Sequence, residues 1–360
     1  MRFPFQLVRR PVAERRMMVL APFAALVLAV AANLALYMAM GKNPGAVFYA
    51  MLLEPFVSWS SLSEVLLKMT PLLLIAQGLA VGFRAKVVNI GAEGQFILGA
   101  IFASAIPVWR PEVTGWWVWP AMLVLGALGG GLWAALPAFW RARLNASEIL
   151  VTLMMSLIAA QVLNYLLTGP WKDPMGFNFP QSVMFPLDAL LPLLIPGTRV
   201  NVALVLALAC SAGCWLYMRR SFQGYQLVVG GLAPRAGAYA GFSEERAIWL
   251  SLLIGGVAAG LAGAAEVAGP LGQLQRSVAQ GYGYAAIIVA YLGGLHPVGI
   301  VFASFLMAAL YIGGDNAMVS ADLPVAAVRV FQGSLLLCYL AAMTLVRYRL
   351  RRLGSAQVRA

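Results

Sequence analysis

Long apolar segments separated by short polar stretches run through nearly the whole chain. Ten such segments can be distinguished, and most approach the roughly 20 residues that a helix needs to cross a bilayer. Only 11% of the residues are charged, against about 25% in a typical soluble domain. The pattern therefore predicts an all-α integral membrane protein with about ten transmembrane helices, forming a single domain over residues 1–360.

The predicted spans lie within residues 17–346, and their bounds are approximate. They are Met17–Met40, Ser61–Phe83, Val88–Pro107, Pro120–Trp140, Ala146–Leu167, Val200–Met218, Ala247–Ala268, Gly283–Leu295, Pro297–Gly314 and Pro324–Val346. Gly283–Leu295 is too short for a full crossing, so it either borrows neighbouring residues or re-enters as a broken helix. Ile101–Ser104 resembles Val301–Ser304, which is either a trace of two five-helix repeats or a chance similarity.

Basic residues lie mainly in the two tails and in every second connection between these segments. If both termini are cytoplasmic, the inner segments hold 18 Lys and Arg residues and the outer loops hold five. Cytoplasmic loops of membrane proteins carry this excess. The bias predicts cytoplasmic tails at 1–16 and 347–360, a cytoplasmic loop at 219–246, and outer loops at 41–60 and 168–199. A net charge of +12 distributed in this way indicates membrane orientation rather than nucleic-acid binding.

A polar, glycine-rich break, Asn89–Gln95, separates two apolar segments and follows Arg84 and Lys86. Irregular backbone at membrane depth persists only where protein or an aqueous cavity satisfies its polar groups. Glu93 therefore has two interpretations. It either takes part in a transport pathway or gate, or it anchors the break through buried hydrogen bonds.

Other charged residues within the spans are also candidates, because a charge in the membrane is costly and often functional. Glu64 and Lys68 are four residues apart, a spacing that predicts an ion pair on one helix face. Glu148 opens a predicted helix, where a carboxylate favours the helix dipole. Glu266 has no such explanation. The pathway or gating candidates are Asn89, Glu93, Gln95, Glu148, Asn164, Glu266, Tyr282 and Tyr284.

Signatures of enzymes, metal sites and nucleotide sites are missing from the sequence. No Gly-x-x-x-x-Gly-Lys-Ser/Thr loop for phosphate occurs. The single histidine, His296, precedes a proline and is interpreted as a turn residue. Cys210, Cys214 and Cys338 lie in apolar runs and are interpreted as packing residues. We expect no catalytic site, no metal and no cofactor bound by this chain.

The cytoplasmic loop contains a second informative stretch, residues 230–241. Glycine and proline punctuate an alanine-rich segment with one arginine and one tyrosine, which predicts a short helix. Ser243 is a predicted helix cap for the next span. A short cytoplasmic helix of this kind either docks into a partner's groove or serves as a solvated connector.

Four motifs in order resemble permeases of ABC importers for simple sugars and nucleosides, over roughly residues 60–345. The first is Arg84–Gln95, and the second combines Asn145–Met155 with Asn164–Pro174. The third is Ala233–Gly241, which resembles the coupling loop of that family, and the last begins at Gly281–Tyr284. The coupling residues implied by the resemblance are Ala233, Pro234, Arg235, Ala236, Gly237, Ala238, Tyr239, Ala240 and Gly241.

The resemblance implies a permease subunit that works in the bacterial inner membrane, with ATP and Mg²⁺ bound by a separate ATPase. That ATPase would carry two nucleotide-binding domains, beside a second and different permease and an extracytoplasmic substrate-binding protein. The cargo would be a nucleoside or a simple sugar. The alternative from the residues alone is a self-sufficient secondary carrier for a small polar solute, which also uses broken helices.

Overall fold

The computed structural model describes residues 5–9, 15–177 and 179–352, and within them helices dominate. The helices are α1 (Arg15–Ala39), α2 (Pro44–Leu52), α3 (Glu54–Val57), α4 (Trp59–Arg84), α5 (Ala92–Trp109), α6 (Val118–Leu144), α7 (Glu148–Thr168), α8 (Ala203–Arg220), α9 (Phe222–Leu232), α10 (Pro234–Tyr239), α11 (Glu244–Glu266), α12 (Tyr282–Leu292), α13 (Pro297–Ser320) and α14 (Val325–Arg347). Two short strands, β1 (Phe5–Arg9) and β2 (Tyr348–Arg352), pair antiparallel. The all-α class is confirmed, with this small ribbon added to it.

Six helices in the described residues are long and apolar enough to cross a membrane: α4, α5, α6, α7, α13, and α11 with its continuation to Leu271. Each predicted span has a helical counterpart, although the count of ten crossings stays a prediction. The 41–60 segment is not only a loop, because it contains α2 and α3. Asn43 caps α2 by accepting a hydrogen bond from the Gly45 N–H, and Pro44 suits the first helical position. The predicted tails fall partly outside the described residues.

The chain forms two compact units. One holds residues 58–311, and the other holds the described residues up to Val57 and from Ile312 onward. In the second unit, α1 packs against α14. Asn33 donates a 2.6 Å hydrogen bond to the Ser334 hydroxyl, and Lys42 pairs with Asp322 at 2.9 Å.

The centre of the 58–311 unit is α11, which packs against α4, α5 and α6. Glycines allow the backbones to meet. A Cβ atom added at Gly99 of α5 would overlap the backbone of Gly260, and one added at Gly130 of α6 would overlap Gly256 and Gly260. Small residues at helix contacts are the usual means of close packing in membranes. These contacts fix α5, whose first turn carries the polar break.

Candidate functional site

The two side-chain amides of the polar break, Asn89 and Gln95, form hydrogen bonds within the break. Asn89 Oδ1 accepts a hydrogen bond from the Gly91 N–H at 2.9 Å, and Asn89 Nδ2 donates to Gln95 Oε1 at 2.9 Å. Both side chains are buried. Asparagine side chains compete in this way with helical hydrogen bonding, so helix α5 begins at Ala92 rather than at the predicted Val88.

Helix α7 satisfies further donors of the break with two hydroxyls one helical turn apart. The Ile90 N–H donates to Thr152 Oγ1 at 3.3 Å, and the Gly94 N–H donates to Ser156 Oγ at 3.2 Å. Sequence reasoning missed Thr152 and Ser156. Their four-residue spacing on an apolar helix was the available signal. The irregular backbone is thus satisfied by protein, as the membrane environment requires.

Glu93 links the break to the start of α12. Its two carboxylate oxygens accept hydrogen bonds from the N–H groups of Gly281 at 2.8 Å and Gly283 at 2.6 Å. The first N–H groups of a helix have no partner within the helix, and a carboxylate there is favoured by the helix dipole. The side chain is 5% exposed. This geometry fits the buried-anchor interpretation, and the gating interpretation stays a prediction.

A second polar cluster joins α4, α11 and α12. Lys68 Nζ donates a 2.6 Å hydrogen bond to the Tyr282 hydroxyl, and that hydroxyl is hydrogen-bonded to the Glu266 carboxylate. Phe96 of α5 packs edge-on against the Tyr282 ring, with centroids 5.7 Å apart. Tyr282 thereby connects this cluster to the first turns of α5.

The predicted ion pair between Glu64 and Lys68 is wrong. The Arg199 guanidinium binds Glu64 through two hydrogen bonds, with Nε 2.9 Å from Oε1. A bidentate arginine satisfies a carboxylate better than a lysine one turn away on the same helix. The bond to Glu64 also raises the pKa of Arg199. Sequence reasoning missed this partner, which lies 135 positions away.

The remaining candidates lie apart or at the edge of these clusters. Tyr284 is part-exposed and hydrogen-bonded to Ser156, so it borders the break. Glu148 pairs with Arg141 at 3.0 Å at the junction of α6 and α7. Asn164 is half-buried in α7, away from the hydrogen bonds described above. The structure therefore brings together Asn89, Glu93, Gln95 and Tyr284 in one group, and Tyr282 with Glu266 in another.

The predicted cytoplasmic helix consists of two helices, α9 and α10, joined at Ala233. We call residues 222–241 the α9–α10 arm. Gly231 lies against the carbonyl of Arg84 at the end of α4. Leu232 and Tyr239 are exposed, by 76% and 96%. A cavity of about 210 Å³ lies between the arm, residues 85–87 after α4, and the start of α11. The arm thus presents an apolar surface and contacts the end of a spanning helix.

Comparison with known proteins gives a consistent assignment. Residues 61–340 match the family described as branched-chain amino acid transport system, permease component. The glucose ABC transporter permease protein TsgB13 of Haloferax volcanii is 32% identical over 323 residues, 86% of this chain and 84% of the relative. The guanosine ABC transporter permease protein NupP of Bacillus subtilis is 30% identical over 311 residues, 85% of this chain and 88% of the relative.

Each of these two organisms also has a second matching permease protein, TsgC13 and NupQ. No solved structure matches the chain. These relatives are all permease proteins of ABC transporters, which favours the subunit over the self-sufficient carrier. With the family match and an apolar helical fold, the chain belongs to this ABC transporter permease family and is a permease subunit of an ABC importer.

Proposed function

We propose that this permease subunit carries a nucleoside or a simple sugar through a bacterial inner membrane, with both termini in the cytoplasm. The observation that carries the proposal is the similarity to permeases named for glucose and guanosine. The excess of Lys and Arg in the inner segments supports the orientation. The pairs of matching permeases in single organisms support a second, different permease as partner.

The energy for transport would come from a separate ATPase with two nucleotide-binding domains, which would hold ATP and Mg²⁺. An extracytoplasmic binding protein would deliver the solute. The exposed side chains of Leu232 and Tyr239 on the α9–α10 arm support docking of the ATPase there. The contact between Gly231 and Arg84 supports a route by which movement of the arm reaches α4.

The test is ATP-dependent uptake by the complete complex in liposomes, with radiolabelled guanosine and glucose offered separately through the cognate binding protein. We expect saturable uptake of one solute class and none without ATP. Tyr239→Ala should lower solute-stimulated ATP hydrolysis, whereas Tyr49→Ala, at another exposed tyrosine, should not. Uptake by this chain alone under an ion gradient would contradict the proposal.

A further inference from the structure

A cavity of about 220 Å³ lies where α4 and α8 end and α13 begins. Its lining residues are Arg84, Trp215, Met218, Arg219, His296 and Pro297. The cavity belongs to neither polar cluster, and it shares no lining residue with the cavity beneath the α9–α10 arm.

Three lining residues have basic side chains with nitrogen donors, and none of the lining residues is an Asp or Glu. The three are Arg84 and Arg219, which carry guanidinium groups, and His296, which carries an imidazole. Within the described part of the chain, no Asp or Glu oxygen lies within 4.0 Å of any of the three. Arginine favours planar oxyanions such as phosphate. The cavity therefore has the charge of an anion site without an internal counter-ion.

The position of Arg219 is fixed by an aromatic neighbour. Its guanidinium carbon lies 5.1 Å from the centroid of the Trp215 ring, a cation–π distance. Tryptophan is enriched at the level of lipid headgroups. The aromatic neighbour of Arg219 is thus of the residue type that is common at the depth of lipid phosphates.

The two helices that contribute most of the cavity lining, α8 and α13, each carry an exposed apolar face. On α8 and α13 the exposed residues recur at helical spacing, so each set forms one face. They are Val205, Leu208 and Leu216 on α8, and Val298, Phe302 and Leu306 on α13. A free phosphate ion would make no use of these faces, whereas the acyl chains of a lipid would cover them.

We infer that this cavity binds the phosphate headgroup of an anionic phospholipid, whose acyl chains lie along α8 and α13. Arg84 and Arg219 contact the phosphate oxygens, and His296 donates a hydrogen bond at the rim. Basic pockets between spanning helices are suited to such headgroups. Since the Arg84 carbonyl meets Gly231, a bound lipid also stabilises the joint between α4 and the α9–α10 arm.

The experiment is native mass spectrometry of the full-length chain, titrated with phosphatidylglycerol or phosphatidylcholine. Arg219→Gln should weaken phosphatidylglycerol binding about fivefold, the worth of one cation near a headgroup. Arg219→Gln with His296→Gln should weaken it further. The matched control is Arg220→Gln, which removes the same charge from the next position of α8 but lies outside the cavity lining, and it should bind as wild type does.

Four results would overturn the inference. Equal binding of both lipids would show that only the apolar faces matter, and equal losses in Arg219→Gln and Arg220→Gln would show that only net charge matters. Inorganic phosphate that displaces phosphatidylglycerol at millimolar concentration would assign the cavity to a free anion. A lipid-free dimer that persists in the spectrum, and dissociates in a Phe302→Ser variant, would assign the faces to a second copy.

Discussion

The carboxylate of Glu93, in the first turn of α5, accepts a hydrogen bond from the N–H of Gly283 in α12 at 2.6 Å, across 190 positions of sequence. The same carboxylate accepts a second bond from Gly281. Glu93 is thus the polar connection between the break after α4 and the short helix that follows the 269–281 segment. The side chain of Glu93 therefore belongs to the polar break and also satisfies backbone N–H groups at the start of α12.

Replacing this carboxylate by an amide tests the anchor. Glu93→Gln keeps one acceptor and presents an NH₂ group to the other N–H donor, so one hydrogen bond is lost. We expect destabilisation of about 1.5–3 kcal/mol, as for hydrogen bonds to charged groups, measured as a lower melting temperature of the purified chain. The control is Glu112→Gln, whose side chain is exposed. An unchanged melting temperature with abolished uptake would instead favour the gating interpretation.

The cluster of Lys68 and Tyr282 predicts non-additive mutations. Lys68→Met and Tyr282→Phe each remove the same 2.6 Å hydrogen bond. The double variant should therefore be less destabilised than the sum of the single variants, by about 0.5–3 kcal/mol. The measurement is thermal unfolding of all four proteins. Strict additivity would mean that the two side chains act independently. Glu64→Gln should show no coupling to Lys68→Met, because Glu64 binds Arg199.

The contact between α6 and α11 predicts a strong effect of one methyl group. In Gly260→Ala, the added carbon overlaps the carbonyl of Gly126 and the backbone of Gly130, so the helices must separate. We expect a loss of about 1–3 kcal/mol from overpacking, seen as a lower yield of monodisperse protein. Gly213→Ala on α8 is the control, since no atom lies within 4 Å there. It should be stabilising by about 0.5–1 kcal/mol.

Two adjacent glycines of α9 provide a matched pair for the joint with α4. A Cβ at Gly231 would overlap the Arg84 carbonyl, whereas a Cβ at Gly230 would meet nothing within 4 Å. Gly231→Ala should therefore displace the α9–α10 arm and lower solute-stimulated ATP hydrolysis in the complete complex by about tenfold, with Gly230→Ala close to wild type. If both variants kept full stimulation, the joint would have no part in coupling.

The sequence predicted the helical segments well, because a hydrocarbon environment leaves a chain few alternatives. It also marked Asn89–Gln95 and the α9–α10 region, where polar residues and glycines interrupt apolar runs. Partners distant in sequence were not predictable. The i, i+4 rule paired Glu64 with Lys68, but it takes no account of Arg199, which a loop brings to the same carboxylate. For the same reason, the sequence did not predict Thr152 as a hydrogen-bond acceptor for the break.

The meeting of glycine backbones among α5, α6 and α11 has a mechanical consequence. Close-packed interiors have low compressibility and transmit strain, and here no side chain at Gly99, Gly130 or Gly260 can bend to absorb a displacement. We therefore expect the three helices to move together when one of them is displaced. A change of conformation is instead expected in the non-helical segments beside these helices, where the backbone lacks helical hydrogen bonds.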